Sequence, residues 1–129
     1  MIKQAISWFE NHKKLSLIIT LLIAFFIFYI SSLSFETGSP GPEFKLKPAL
    51  YHFCIFLLFS FFLLMTSMKK EKIDIFLLII LFSIVYAISD EFHQLFVVGR
   101  TCSLSDVLID SIGILLAGLI YLLQSKYLS

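Results

Sequence analysis

Within five residues, Asp90-Glu91-Phe92-His93-Gln94, the chain places two carboxylates, an imidazole and an amide; Gly99-Arg100, Asp106 and Asp110 follow closely. These types at this spacing could do acid–base chemistry, with Glu91 or Asp90 as the base and His93 as its acid partner near neutral pH. Arg100 adds a guanidinium whose fork matches a carboxylate or a phosphate. The ligand-binding candidates are Gln94, Arg100, Asp106 and Asp110, joined by Ser32 and His52 from elsewhere in the chain. Each also has a plainer reading. Ser103-x-x-Asp106 fits a helix capping box. Asp90 and Glu91 could be solvated charges at a helix end. Arg100 could clamp Asp106 or Asp110, and His52 could serve as a hydrogen-bonding group near a helix end. Glu91, His93, Asp106 and Asp110 are ligand types for a divalent ion, but no spacing such as H-E-x-x-H accompanies them. Neither a metal nor a cofactor is therefore expected.

The elements that carry these residues are apolar. Of 129 residues, 59% are hydrophobic and fifteen are Phe, above the usual share for soluble domains. Four apolar runs are long enough to cross a bilayer, at about residues 15–32, 48–67, 73–95 and 104–124. The first is preceded by Lys13 and Lys14 but followed by no A-x-A site, so it reads as an uncleaved span rather than a signal peptide. Residues 1–14 carry Ile2, Ile6 and Phe9 at helical spacing, which predicts a short amphipathic helix at the membrane interface. The expected fold is all-α: one integral membrane domain over residues 1–129, a four-helix bundle with that N-terminal interfacial helix.

Ionisable groups in or beside such spans are costly and usually face a protein interior or a water-filled pocket. In span 3, Ser83, Tyr86, Asp90 and His93 fall on one helical stripe, with Glu91 about 100° around the axis. In span 4, Ser103, Asp106, Asp110, Gly113 and Ala117 form another, and Gly113 and Ala117 allow close approach of a second helix. The two polar ends are expected to meet.

Loop charges predict the orientation. Lys3, Lys13, Lys14, Lys69, Lys70, Lys72 and Lys126 lie on the side of the termini, against Lys45, Lys47 and Arg100 on the other. The rule that Lys and Arg stay inside puts both termini in the cytoplasm and the polar cluster outside. A breaker-rich loop over residues 33–47 would lie above the same face. The net charge of +1 gives a nucleic-acid partner no support. Cys54 and Cys102 have no metal-type spacing and read as two thiols rather than a disulfide. The oligomeric state is not legible.

The residues together resemble the VanZ-like family of small bacterial membrane proteins. Asp90-Glu91-Phe92-His93-Gln94-x-Phe96 is similar to its central motif, and Gly99-Arg100 with Asp106, Val107, Asp110 and Gly113 to its second block. His52-Phe53-x-x-Phe56 resembles its His-Phe-x-x-Tyr, and Ser31-Ser32 its serine pair. The chain departs from the pattern at Val98, where a proline is common, at Pro48 and Ala49, where basic residues are usual, and at Phe56, which lacks the tyrosine hydroxyl. The resemblance implies a bacterial cell-membrane protein, with a namesake linked to teicoplanin resistance. Three functions follow as expectations. The first is a non-catalytic site for an anionic or lipid-linked envelope component, such as a membrane lipid or cell-wall precursor. The second is an enzyme acting on an envelope lipid. The third is a small transporter or scramblase.

Overall fold

The computed structural model describes residues 1–34, 46–68 and 72–124. Five helices order the chain: α1 (Ile2–Asn11), α2 (Lys13–Ser32), α3 (Leu46–Ser67), α4 (Ile73–Gln94) and α5 (Leu104–Gln124). The last four have 20 to 22 residues each and are apolar enough to cross a membrane. At 1.5 Å per residue they span roughly 30 Å, the thickness of a bilayer's hydrocarbon core. Their outward faces carry large apolar side chains such as Leu22, Phe25, Leu78 and Leu115, each more than half exposed, as a lipid-facing surface requires.

The helix ends follow local chemistry. Only His12 separates α1 from α2, so the first long helix starts at Lys13 rather than Leu15. The His12 amide donates back to Trp8 O and Phe9 O, and its ring stacks on Trp8, which fixes the bend. α3 starts two residues before Pro48; proline is tolerated in a first turn because its missing N–H would have had no intrahelical partner. The breaker-rich loop and the centre of the basic turn after α3 lie largely outside the described residues.

α3 packs against each of the other three long helices and most broadly against α5. Gly113 makes that contact possible: a Cβ there would stand 2.5 Å from the Phe53 carbonyl oxygen and 3.3 Å from the Leu57 nitrogen. Two apolar cores fill the bundle. One joins Leu64, Met65, Phe76, Ile79 and Tyr121 with Ile6 of α1. The other joins Ile27, Phe56, Phe59, Ala87 and Ile114. α1 therefore folds over the end formed by the C-termini of α3 and α5. It is tied there by Tyr121, whose hydroxyl donates to Glu10, and by Ser16 Oγ, which donates to Phe9 O at 2.9 Å. Lys13 Nζ donates to Met68 O at 2.9 Å at the same end. The opposite end, formed by the C-termini of α2 and α4 and the N-termini of α3 and α5, holds the polar residues of the Asp90–Asp110 stretch and His52.

Candidate functional site

Three helices meet at the centre of that end. His52, one to two turns into α3, has its Nδ1 3.0 Å from Asp110 Oδ1 on α5 and 4.0 Å from Glu91 Oε1 on α4. Glu91 is 1% exposed and Asp110 is fully buried. With Asp110 ionised, its carboxylate only accepts, so Nδ1 carries the hydrogen in this bond, and Nε2 is left as the ring's acceptor nitrogen while the imidazole is neutral. Gln94 Nε2 donates to Glu91 Oε1 at 3.2 Å and to Asp90 Oδ2 at 3.3 Å, bridging the two carboxylates. The amide of Ser103, just before α5, donates to Glu91 Oε2 at 2.9 Å. Glu91 thus sits at the N-terminus of α5, where the helix dipole favours a negative charge. Asp106, half-buried in the first turn of α5, acts electrostatically on both His52 and Glu91.

Three buried polar atoms around this cluster make no hydrogen bond within the described structure: Ser31 Oγ, Tyr51 Oη and Asp110 Oδ2. Ser31 lies beside Asp90, but not in a geometry that makes a hydrogen bond of standard form. Buried polar atoms are nearly always paired, with protein, water or ligand, so these three leave hydrogen-bonding capacity around the cluster that water or a ligand could use.

His93 and Ser32 form a separate contact. Ser32 Oγ donates to Phe28 O at 2.7 Å and lies 3.0 Å from His93 Nε2, and the His93 ring rests on Phe28. With its one hydrogen committed, the hydroxyl accepts from Nε2–H. The structure therefore divides the polar residues of α4. Tyr86, whose hydroxyl donates to Ala24 O at 2.8 Å, and His93 face α2. Ser83 and Glu91 face α3 and α5, Gln94 bonds Glu91 from the same helix, and Asp90 lies at the border. Glu91, a third of a turn away from the expected stripe, is the more central carboxylate, because α4 has protein on two sides.

Arg100 also lies off the cluster's centre. Its Nε donates to Leu33 O at 3.0 Å and its Nη2 to Ile30 O at 2.6 Å. Both carbonyls lie at the C-terminal end of α2, where Ile30 O also accepts from the Leu33 amide at 3.2 Å and where the helix dipole attracts a cation. Gly99, at φ 81°, makes the tight turn that brings Arg100 back to them. Of the four residues weighed as ion ligands from sequence, only Glu91 and Asp110 converge; the third member is His52, and one donor atom from each of the three lies within 4.8 Å of the others. Tyr51 was not among the candidates. A tyrosine in an apolar run usually turns its hydroxyl to the interface, and its place directly before His52 was the available signal.

A four-span helical bundle with an acidic, histidine-containing cluster at one end defines a small multi-pass membrane protein of the class with intramembrane polar sites. The chain belongs to the VanZ/LLP1 family, whose profile matches residues 15–125. No curated protein and no solved structure matches it.

Proposed function

We propose that the cluster receives a membrane lipid or lipid-linked cell-envelope component at the outer face of the bacterial membrane. The observation that carries this reading is the set Asp110 Oδ2, Ser31 Oγ and Tyr51 Oη, buried around His52, Glu91 and Asp90 without a hydrogen bond of standard form among the described residues. Such a site is rich in acceptors. It suits hydroxyl, amide or ammonium groups of a sugar, peptide or amine headgroup better than a bare anion. Arg100, with two donors on α2 carbonyls, serves in this reading as the strut of the site's wall. Half-buried Ser103 and Asp106 form the approach from the surface. The excess of Lys on the side of the termini supports the outward orientation. A changed susceptibility to teicoplanin would follow from altered access to the same component.

Native mass spectrometry of the purified protein tests this. A retained envelope lipid or lipid-linked precursor is expected on the wild type and is expected to be lost in Asp110→Asn and Glu91→Gln. A chain that carries only bulk phospholipid, equally in all three proteins, rejects the proposal.

The His52–Asp110 hydrogen bond favours a second reading, an enzyme acting on an envelope lipid. An aspartate that fixes an imidazole through Nδ1 leaves Nε2 to accept a proton. The acid–base role then falls to His52 with Glu91, rather than to His93. In that case Glu91→Gln keeps the lipid and loses its turnover; a pure receptor loses affinity.

A further inference from the structure

Two fully buried carboxylates face one imidazole at the membrane-embedded end of this bundle, and Asp90 shares the Gln94 amide with one of them. Even with His52 protonated, the trio His52, Glu91 and Asp110 carries a formal charge of −1 when both acids are ionised. Buried charge costs several kcal/mol unless it is matched. Protons or a cation can supply the match, and the geometry points to a cation.

We propose that His52, Glu91 and Asp110 bind a divalent first-row transition ion, Zn2+ or Mn2+, inside the bundle. One donor atom from each residue lies within 4.8 Å of the other two, and each donor comes from a different helix. Ligand atoms around a tetrahedral ion with bonds of about 2.1 Å stand roughly 3.4 Å apart. His52 Nδ1 and Asp110 Oδ1 are already at 3.0 Å, Glu91 Oε1 is 4.0 Å from Nδ1, and no pair exceeds 4.8 Å, so shifts of about 1.5 Å or less shared among the three side chains bring the set to that spacing. Asp110 Oδ2 provides the independent sign of a ligand: a buried carboxylate oxygen with no donor in the described structure. The supporting shell is also in place. Ser103 N–H holds Glu91 Oε2 and Gln94 holds Oε1, as outer hydrogen bonds hold the ligating carboxylates of metal centres.

One imidazole with two carboxylates selects the ion. The nitrogen disfavours Ca2+ and Mg2+, which take oxygen shells, and the absence of a thiolate from the trio disfavours the softest ions. The proton on Nδ1 leaves as the ion arrives, since a coordinating nitrogen carries none. Three protein ligands leave a coordination position for an oxygen of a bound molecule. The ion site involves the same cluster as the proposed envelope ligand but does not rest on it.

The test is metal content. Full-length protein in detergent is stripped with EDTA, incubated with Zn2+ or Mn2+, passed through a desalting column and analysed by inductively coupled plasma mass spectrometry. About one ion per chain is expected for the wild type and for His12→Gln, which removes a surface histidine. Asp110→Asn, His52→Ala and Glu91→Gln are expected to bind at least about tenfold more weakly. Glu91→Gln is isosteric, and its elution volume on gel filtration separates lost ligation from lost fold. Co2+ provides a second readout: a visible d–d band in the wild type that is absent in Glu91→Gln. Wild-type protein without bound ion, uptake equal across the trio variants, or preference for Mg2+ or Ca2+ overturns the proposal. Because the metal is measured whether or not a lipid is retained, failure here leaves the envelope-ligand reading standing.

Discussion

At the scale of residues, the pair His52–Asp110 sets the stakes. Both side chains are buried, and their 3.0 Å hydrogen bond links α3 to α5 within the polar cluster. Removing one member leaves the other's polar group unmatched in an apolar bundle, which typically costs about 3–5 kcal/mol. His52→Ala and Asp110→Ala are each expected to lower the midpoint of thermal unfolding in detergent clearly. The double variant is expected to fall well short of the sum, because it removes both halves of one interaction. Additive losses would show that the two side chains do not act as a pair. His93 offers the contrast. It is half-buried against Phe28 and Ser32, so His93→Ala is expected to cost no more than about 1 kcal/mol in the same melt.

At the scale of elements, close packing of α3 on α5 brings His52 to Asp110, and Gly113 sets that closeness. A Cβ at Gly113 meets backbone atoms of Phe53 and Leu57, which cannot move without the helix. At Gly118 its nearest neighbours would be the side-chain ends of Ile80 and Phe76, at 3.0 and 3.1 Å. Alanine favours a helix over glycine by about 1 kcal/mol at either place. Gly118→Ala is therefore expected to be neutral or slightly stabilising, whereas Gly113→Ala is expected to destabilise by about 1–3 kcal/mol despite that gain. Thermal melts of the two variants side by side check this, and equal effects would refute the packing argument. Arg100 acts on the end of α2 in a similar local way. Arg100→Ala uncovers the carbonyls of Ile30 and Leu33, so faster amide exchange is expected over residues 28–33, read by hydrogen exchange and mass spectrometry. Unchanged exchange there would remove Arg100 as a strut. That strut also marks a boundary of what the sequence discloses. The long apolar runs made α2 to α5 legible, and the charge density of residues 90–110 pointed to the right end of the bundle. The two contacts that Arg100 makes with α2 are to backbone carbonyls, which every residue possesses, so no side-chain pattern announces them. The facing of α4 was equally hidden. Spacing places Asp90 and His93 on one stripe, but only the positions of α2, α3 and α5 decide that Glu91 turns to His52 while His93 turns to Ser32.

At the scale of the whole molecule, the two ends of the bundle differ in kind. One end is covered by α1, whose Ile6 plugs the apolar core while Lys3 and Lys14 remain at the surface. The other carries Asp90, Glu91, Asp106, Asp110 and His52. The positive-inside rule weighs Lys and Arg in short loops, and the α1 end holds most of them. Cys102 is exposed in the segment before α5, at the polar end, and Cys54 is exposed on the lipid-facing side of α3. This arrangement makes the orientation measurable with one native probe. In a Cys54→Ser background, a membrane-impermeant maleimide added to intact cells is expected to label Cys102. A cysteine placed at exposed Gln4, in the same background with Cys102→Ser, is expected to react only after the cells are opened. The opposite pattern would put the cluster against the cytoplasm. It would also remove the outer-leaflet ligand from consideration, because a buried acidic cluster takes its ligand from the side on which its rim, Ser103 and Asp106, is wet.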